Sequence, residues 1–287
     1  MSAWDSDSRP FTVERDGQTL AAEAIGEGPA VVLLHGITAS RRYVVHGSKL
    51  IGRRDLRAIA FDARGHGDSS PAEDRAGYTY AEMAADLGAV IDADAARGAV
   101  VAAGHSMGAH TVAAYALRNP ARLAGVVLIG PAYPGIPPSA ESLAAWDALA
   151  DGLESGGVDG FLAAYGAQGL NPEWRDTLIR ITRERLLTHR HPEAVADALH
   201  EVTRDVPFDG LDELEFLDLP ALVVASHDEA DPGHPYSLAE EYAARLPDAR
   251  LISEDDGQSP LAWQGGRLSR EIVRFCEQPD VAERLRA

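Results

Sequence analysis

Two glycines bracket a serine at Gly104-His105-Ser106-Met107-Gly108, and the run "AVVAAGH" at 99–105 leads into it. A helix-like stretch, "MGAHTVAAYALRN", follows. Small residues at both ends let backbone segments approach closely. A strand can then turn sharply into a helix and hold the serine oxygen out over a sheet. A hydroxyl displayed in this way can attack a carbonyl carbon once a neighbouring base takes its proton. The chemistry on offer is acyl transfer, and the base must come from elsewhere in the chain.

The elements that would position such a serine are legible along the sequence. Residues 30–36, 56–62, 99–105, 123–130 and 220–226 are short continuous apolar runs, the pattern of strands buried on both faces. Helix-like segments lie between them at 80–96, 107–118 and 237–246. This alternation predicts an α/β fold with a mostly parallel central sheet and helices on both faces. Asp16-Gly17 is a hairpin signal ahead of the first buried strand. Between about 131 and 220 the alternation stops, and helices are expected around 143–153, 158–167, 172–187 and 192–202. Asn171-Pro172 and His191-Pro192 mark two of their starts. A helical insertion of this kind reads as a cap over the strand ends. The expected division is a core of 1–131 and 214–287 with a cap of 132–213.

Two further motifs stand upstream: His35-Gly36-Ile37-Thr38 after the first buried strand, and Asp62-Ala63-Arg64-Gly65-His66-Gly67-Asp68-Ser69 after the next. With the serine turn, these make the chain resemble the α/β-hydrolase superfamily in its capped, serine-nucleophile form, from roughly residue 11 to 277. The resemblance implies that Ser106 is the nucleophile and that the backbone N–H groups of Ile37 and Met107 form an oxyanion hole. It also implies an acid after the strand that follows the cap. "SHDEADPGHP" supplies Asp231, with Asp228 as a competitor because two extra residues precede the family-like Asp-Pro-x-x-Pro ending. In the family a Gly-His pair after the last strand supplies the base; here Gly257-Gln258 stands there.

A carboxamide cannot accept a proton near neutral pH, whereas an imidazole can. Loss of the triad histidine from a serine protease costs on the order of a millionfold in turnover, so ordinary triad chemistry through Gln258 is expected to be impaired. His234 and His227, on the same loop as Asp231, are the alternative bases. His105 neighbours the nucleophile on a turn that sends adjacent side chains apart, and His110 is expected to pack against the sheet. His189, His191 and His200 fall in the cap. Trp146, Phe161, Tyr165 and Trp174 of the cap, Tyr133 at its entry, Trp263 beyond Gln258, and His35 are the candidate pocket residues. Aromatic residues at helical spacing also serve as ordinary core. If they line a pocket, they favour a small to medium, uncharged apolar compound.

The expected activity is therefore hydrolysis of a carboxylic ester, lactone or thioester with an atypical triad. The alternatives are a lyase or cyclase using the same pocket and oxyanion hole, or a non-catalytic ligand-binding homologue. Composition narrows the partners. The 287 residues carry a formal charge of −19, which argues against nucleic acid and anionic membranes. One cysteine, Cys276, excludes an intrachain disulfide and a multi-cysteine metal site. No metal-ligand spacing or phosphate-cradling loop is legible, so no metal or cofactor is expected. The N-terminal residues lack the pattern of a secretory signal, and no apolar run reaches membrane-spanning length, which makes cytoplasmic the expected location. A homodimer accords with scaffold habit, and no residue decides it.

Overall fold

In the computed structural model, residues 7–94, 98–228, 231–255 and 263–287 are described. Their centre is one eight-stranded sheet in the order β1-β2-β4-β3-β5-β6-β7-β8. β1 (Arg9–Arg15) and β2 (Gln18–Ile25) form the hairpin, turning through Asp16 and Gly17, both at positive φ. β2 runs antiparallel to β4 (Arg57–Phe61). The remaining pairs, involving β3 (Ala30–Leu34), β5 (Val100–His105), β6 (Leu123–Ile129), β7 (Ala221–Val224) and β8 (Ala249–Ile252), are parallel.

The apolar runs are continuous because each strand is covered twice. Val32, Leu34, Val100, Ala102, Val126 and Leu128 enter one core cluster, and the residues alternating with them, Val31, Leu33, Val101, Ala103, Val127 and Ile129, enter the other. Among the helices, α1 (Tyr80–Asp94), α2 (Met107–Arg118) and α6 (Tyr236–Arg245) cover the first face. α7 (Gly265–Cys276) and α8 (Pro279–Arg286) cover the second, and Cys276 is buried there as a small apolar side chain.

Between β6 and β7 lie three α-helices, α3 (Ala140–Ala167), α4 (Arg175–Leu186) and α5 (Pro192–Val202), and a short 3-10 helix, Leu211–Phe216. The two helices expected at 143–153 and 158–167 occupy α3, which breaks at Gly157 (φ 59°, ψ −150°). Its halves fold back so closely that a Cβ on Gly160 would overlap the Gly152 carbonyl. Helix α4 starts later than the Asn171-Pro172 signal, because Asn171 caps a preceding turn by accepting from the Glu173 N–H (3.0 Å). α5 packs against two hydrophobic clusters. Val195, Ala196 and Leu199 pack in the cap cluster, while Ala194, Ala198 and Val202 pack in the sheet's core. Among the described residues no helix is long and apolar enough to cross a membrane.

Candidate active site

Ser106 stands between the last residue of β5 and the first of α2, at φ 52° and ψ −116°. That backbone conformation is unfavourable for a residue with a Cβ and persists only where its surroundings over-determine it. They do so here. The Ser106 N–H donates to the Ile129 carbonyl of β6 (2.9 Å), and the Ser106 carbonyl accepts from the His110 N–H (3.1 Å). A Cβ on Gly104 would overlap the Gly108 backbone, and one on Gly108 would overlap the Leu34 carbonyl. Both glycines of the motif are therefore steric requirements.

The loop after β3 runs directly against this turn. A Cβ on Gly36 would sit 2.9 Å from His105 Nδ1 and 3.2 Å from the Ser106 Cβ. Ile37 follows Gly36, and Thr38 then turns at φ 66°. Met107 is the first residue of α2, where backbone N–H groups lack intrahelical acceptors. The two amides named from sequence thus flank the serine.

On the other side, His234 Nδ1–H donates to both carboxylate oxygens of Asp231 (2.9 and 2.8 Å). Burial pushes the Asp231 carboxyl up, but the hydrogen bond and charge of His234 outweigh it and hold the group below the ordinary carboxylate range. The His234 ring lies against Gly130, where a Cβ would come within 3.3 Å of it. Gly130 follows Ile129, and Ser106 follows Ile129's partner on the neighbouring strand, His105. Strands lie about 4.8 Å apart, so the Asp231–His234 pair occupies the strand end beside the serine. The His234 and His105 rings are 5.2 Å apart, and burial together with the charge of His234 holds His105 neutral. Among the described residues, none hydrogen-bonds the Ser106 hydroxyl; Gln258 lies outside them.

The loop carrying Asp231 is anchored by a residue that carries no signal in the sequence. Buried Glu254, just after β8, accepts from Ser226 Oγ (2.9 Å) and the His227 N–H (2.6 Å). The His227 ring stacks on Tyr236 at 3.8 Å. Asp228 N–H donates to Ser226 Oγ (3.1 Å), which ties it to the same turn. An isolated glutamate after a strand gives no sequence signal for such a role.

Three other histidines are fixed in buried hydrogen-bond networks. His35 accepts the Ala63 N–H at Nε2 (2.9 Å) and donates from Nδ1 to the Gly36 carbonyl (2.8 Å), while burial pushes it down to about 4. His110 Nε2 accepts the Ala132 and Tyr133 N–H groups (2.8 and 3.0 Å), and burial takes it to about 3. His189 accepts the Gly67 N–H (2.9 Å) and donates to the Thr38 carbonyl (2.9 Å). The helical insertion is thereby bonded to both motif loops, and Arg190 N–H adds a bond to the Gly67 carbonyl (2.9 Å). Asp62 holds Gly67 in place: a Cβ there would overlap its carboxylate, which also accepts the Arg41 and Asp68 N–H groups (2.7 and 2.9 Å).

The candidate pocket residues separate into groups. Trp146, Phe161 and Tyr165 pack in the cap cluster, and Trp174 precedes α4. Tyr133 is buried in the sheet's core and donates to the Phe208 carbonyl (3.1 Å). Trp263 donates from Nε1 to the Ala225 carbonyl (2.7 Å), clamping the start of the acid loop. On the cap surface, Asp151, Glu154 and His200 bring ligand atoms within 4.8 Å of one another, a grouping set by tertiary packing.

The family model described as the alpha/beta hydrolase fold matches residues 29–212. Over 109 residues the chain is 36% identical to epoxide hydrolase B of Mycobacterium tuberculosis, a stretch covering 38% of this chain and 30% of that protein. It therefore spans under a third of that relative's length. Over 251 residues it is 28% identical to the proposed carbamate hydrolase RutD of Variovorax paradoxus, covering 87% of this chain and 92% of that one. A thermophilic esterase from Thermogutta terrifontis superposes with a TM-score of 0.75 at 24% identity, over 97% of this chain and 100% of that chain. At that identity the likeness concerns the fold.

Proposed function

This chain belongs to the alpha/beta hydrolase fold family, and from that premise we propose that it is a serine hydrolase of a carboxylic ester, lactone or thioester, with His234 as its base. The observation that carries the reading is the strained, half-buried Ser106 at a strand end beside an Asp231–His234 hydrogen-bonded pair. The hydrolase names of the relatives agree with it.

Ser106 Oγ attacks the carbonyl carbon as His234 Nε2 takes its proton. Asp231 holds the Nδ1–H tautomer and stabilises the imidazolium. The Ile37 and Met107 N–H groups receive the oxyanion. Collapse of the tetrahedral intermediate expels the alcohol or thiol, which takes the proton from His234 and leaves an acyl-Ser106. Water, deprotonated by His234, attacks the acyl carbonyl, and the carboxylic acid leaves as Ser106 regains its proton. In this arrangement the base comes from the acid loop, and the Gln258 position need not titrate.

A fluorophosphonate probe is expected to label the wild type and not Ser106→Ala. His234→Asn should lower kcat/KM for p-nitrophenyl esters by about a hundredfold or more, the contribution expected of a general base. If His234→Asn leaves turnover intact while Gln258→His raises it, His234 is not the base and the loop at 258 is shaped to hold an introduced one. Turnover that survives Ser106→Ala would eliminate the covalent route.

A further inference from the structure

Arg185, in the last turn of α4, carries no motif and draws no attention in the sequence. Thr182 and Leu186 of the same face are buried, and His189, one turn further on, bonds the Thr38 carbonyl beside Ile37. This end of α4 therefore abuts the loop that flanks Ser106. The Arg185 charge acts on Asp231, on His105 and on His189, and the Tyr43 and Tyr165 hydroxyls lie within its field.

Arg185 is half-buried, and its guanidinium lacks the carboxylate partners that Arg64 and Arg41 possess. Arg64 is held by Asp86 through two bonds (2.7 and 2.8 Å), and Arg41 by Asp62, Asp68 and Glu23. Arg185 Nε is buried without a hydrogen-bond partner, and among the described residues no carboxylate forms an ion pair with it. Burial draws the group below its ordinary value, and the Tyr165 and Tyr43 hydroxyls and the Asp231 charge offset this only in part. Such a cation is costly unless something supplies the missing charge and acceptors. Asp231 is close enough to be felt but is engaged by His234.

We propose that Arg185 reads a carboxylate on the substrate, so that the compound cleaved at Ser106 is an ester or lactone whose acyl chain ends in a carboxylate. This rests on the serine-hydrolase reading and departs from the uncharged compound expected from the aromatic residues alone. The planar fork of arginine matches a carboxylate through two parallel bonds. The nearby charge of Asp231 disfavours a dianion such as a phosphate monoester.

The test pairs two esters of equal chain length, mono-p-nitrophenyl adipate and p-nitrophenyl hexanoate. The wild type should favour the acid ester at least about tenfold in kcat/KM, mainly through KM. Arg185→Gln should remove that preference, and Arg185→Lys should keep part of it. A turnover-independent arm titrates monomethyl adipate and methyl hexanoate into Ser106→Ala, with and without Arg185→Gln. Preferential binding of the acid that disappears with Arg185→Gln sustains the proposal even if no ester is hydrolysed, in which case only the hydrolase reading fails. Equal affinity for the two ligands, or binding of neither, overturns it. So does turnover that is indifferent to the carboxylate.

Discussion

At the scale of single residues, the site depends on close approaches that only glycine permits. Gly130 is the clearest, because it combines φ 52° with a His234 ring that a Cβ would meet at 3.3 Å. Gly130→Ala should therefore displace the ring as well as strain the turn. We expect kcat to fall at least about tenfold while KM changes little, with a stability loss of about 1 kcal/mol from the left-handed backbone. Steady-state kinetics with a thermal melt checks both. A proportionate fall in kcat and folded fraction, with normal turnover per folded molecule, would make the glycine purely structural. The two motif glycines differ in kind: Gly104 and Gly108 hold strand and helix together, and larger residues there should abolish the turn itself.

At the scale of elements, the helical insertion is bonded to the loops that follow β3 and β4. His189 links the end of α4 to Gly67 and to Thr38, and α5 shares its residues between two clusters. His189→Ala would strand a buried N–H and a buried carbonyl and open a void, a loss of about 2–4 kcal/mol. Because Thr38 adjoins Ile37, the same substitution should loosen the proposed oxyanion hole. The expected result is a lower melting temperature together with a kcat reduced about tenfold. A variant that loses stability but keeps full kcat per folded molecule would mean that the cap bonds leave the Ile37 amide untouched.

At the scale of the whole molecule, four histidines are interior and neutral. His35, His66, His110 and His189 are each at most 9% exposed. Burial pushes His35 and His189 to about 4, His110 to about 3, and His66 well below its ordinary value. The unfolded chain binds protons at these positions from about pH 6.5 downward, while the folded chain does not. Stability therefore rises with pH across this window, and it is lost as pH falls from about 6.5 toward 4. At pH 5 the loss is on the order of 1–2 kcal/mol per histidine, a large share of a typical domain's total of about 5–15 kcal/mol. Calorimetry at pH 7 and pH 5 should show the melting temperature falling by at least about 5 °C; an unchanged value would mean that the imidazoles gain solvent or partners on protonation.

The sequence alone determined the layered sheet, because strands covered on both faces must be continuously apolar, and it determined the serine turn, because only glycines tolerate its contacts. It also marked the helical insertion and the loop carrying Asp231. Burial and direction were decided by the tertiary structure. Whether His234 faces Asp231, what anchors the Asp231 loop through Glu254, and that the Arg185 charge reaches Asp231 while its Nε finds no partner all depend on contacts between residues distant in the chain. Local patterning carries no information about such contacts, since a charged residue on a helix looks the same in sequence whether it meets water or an interior.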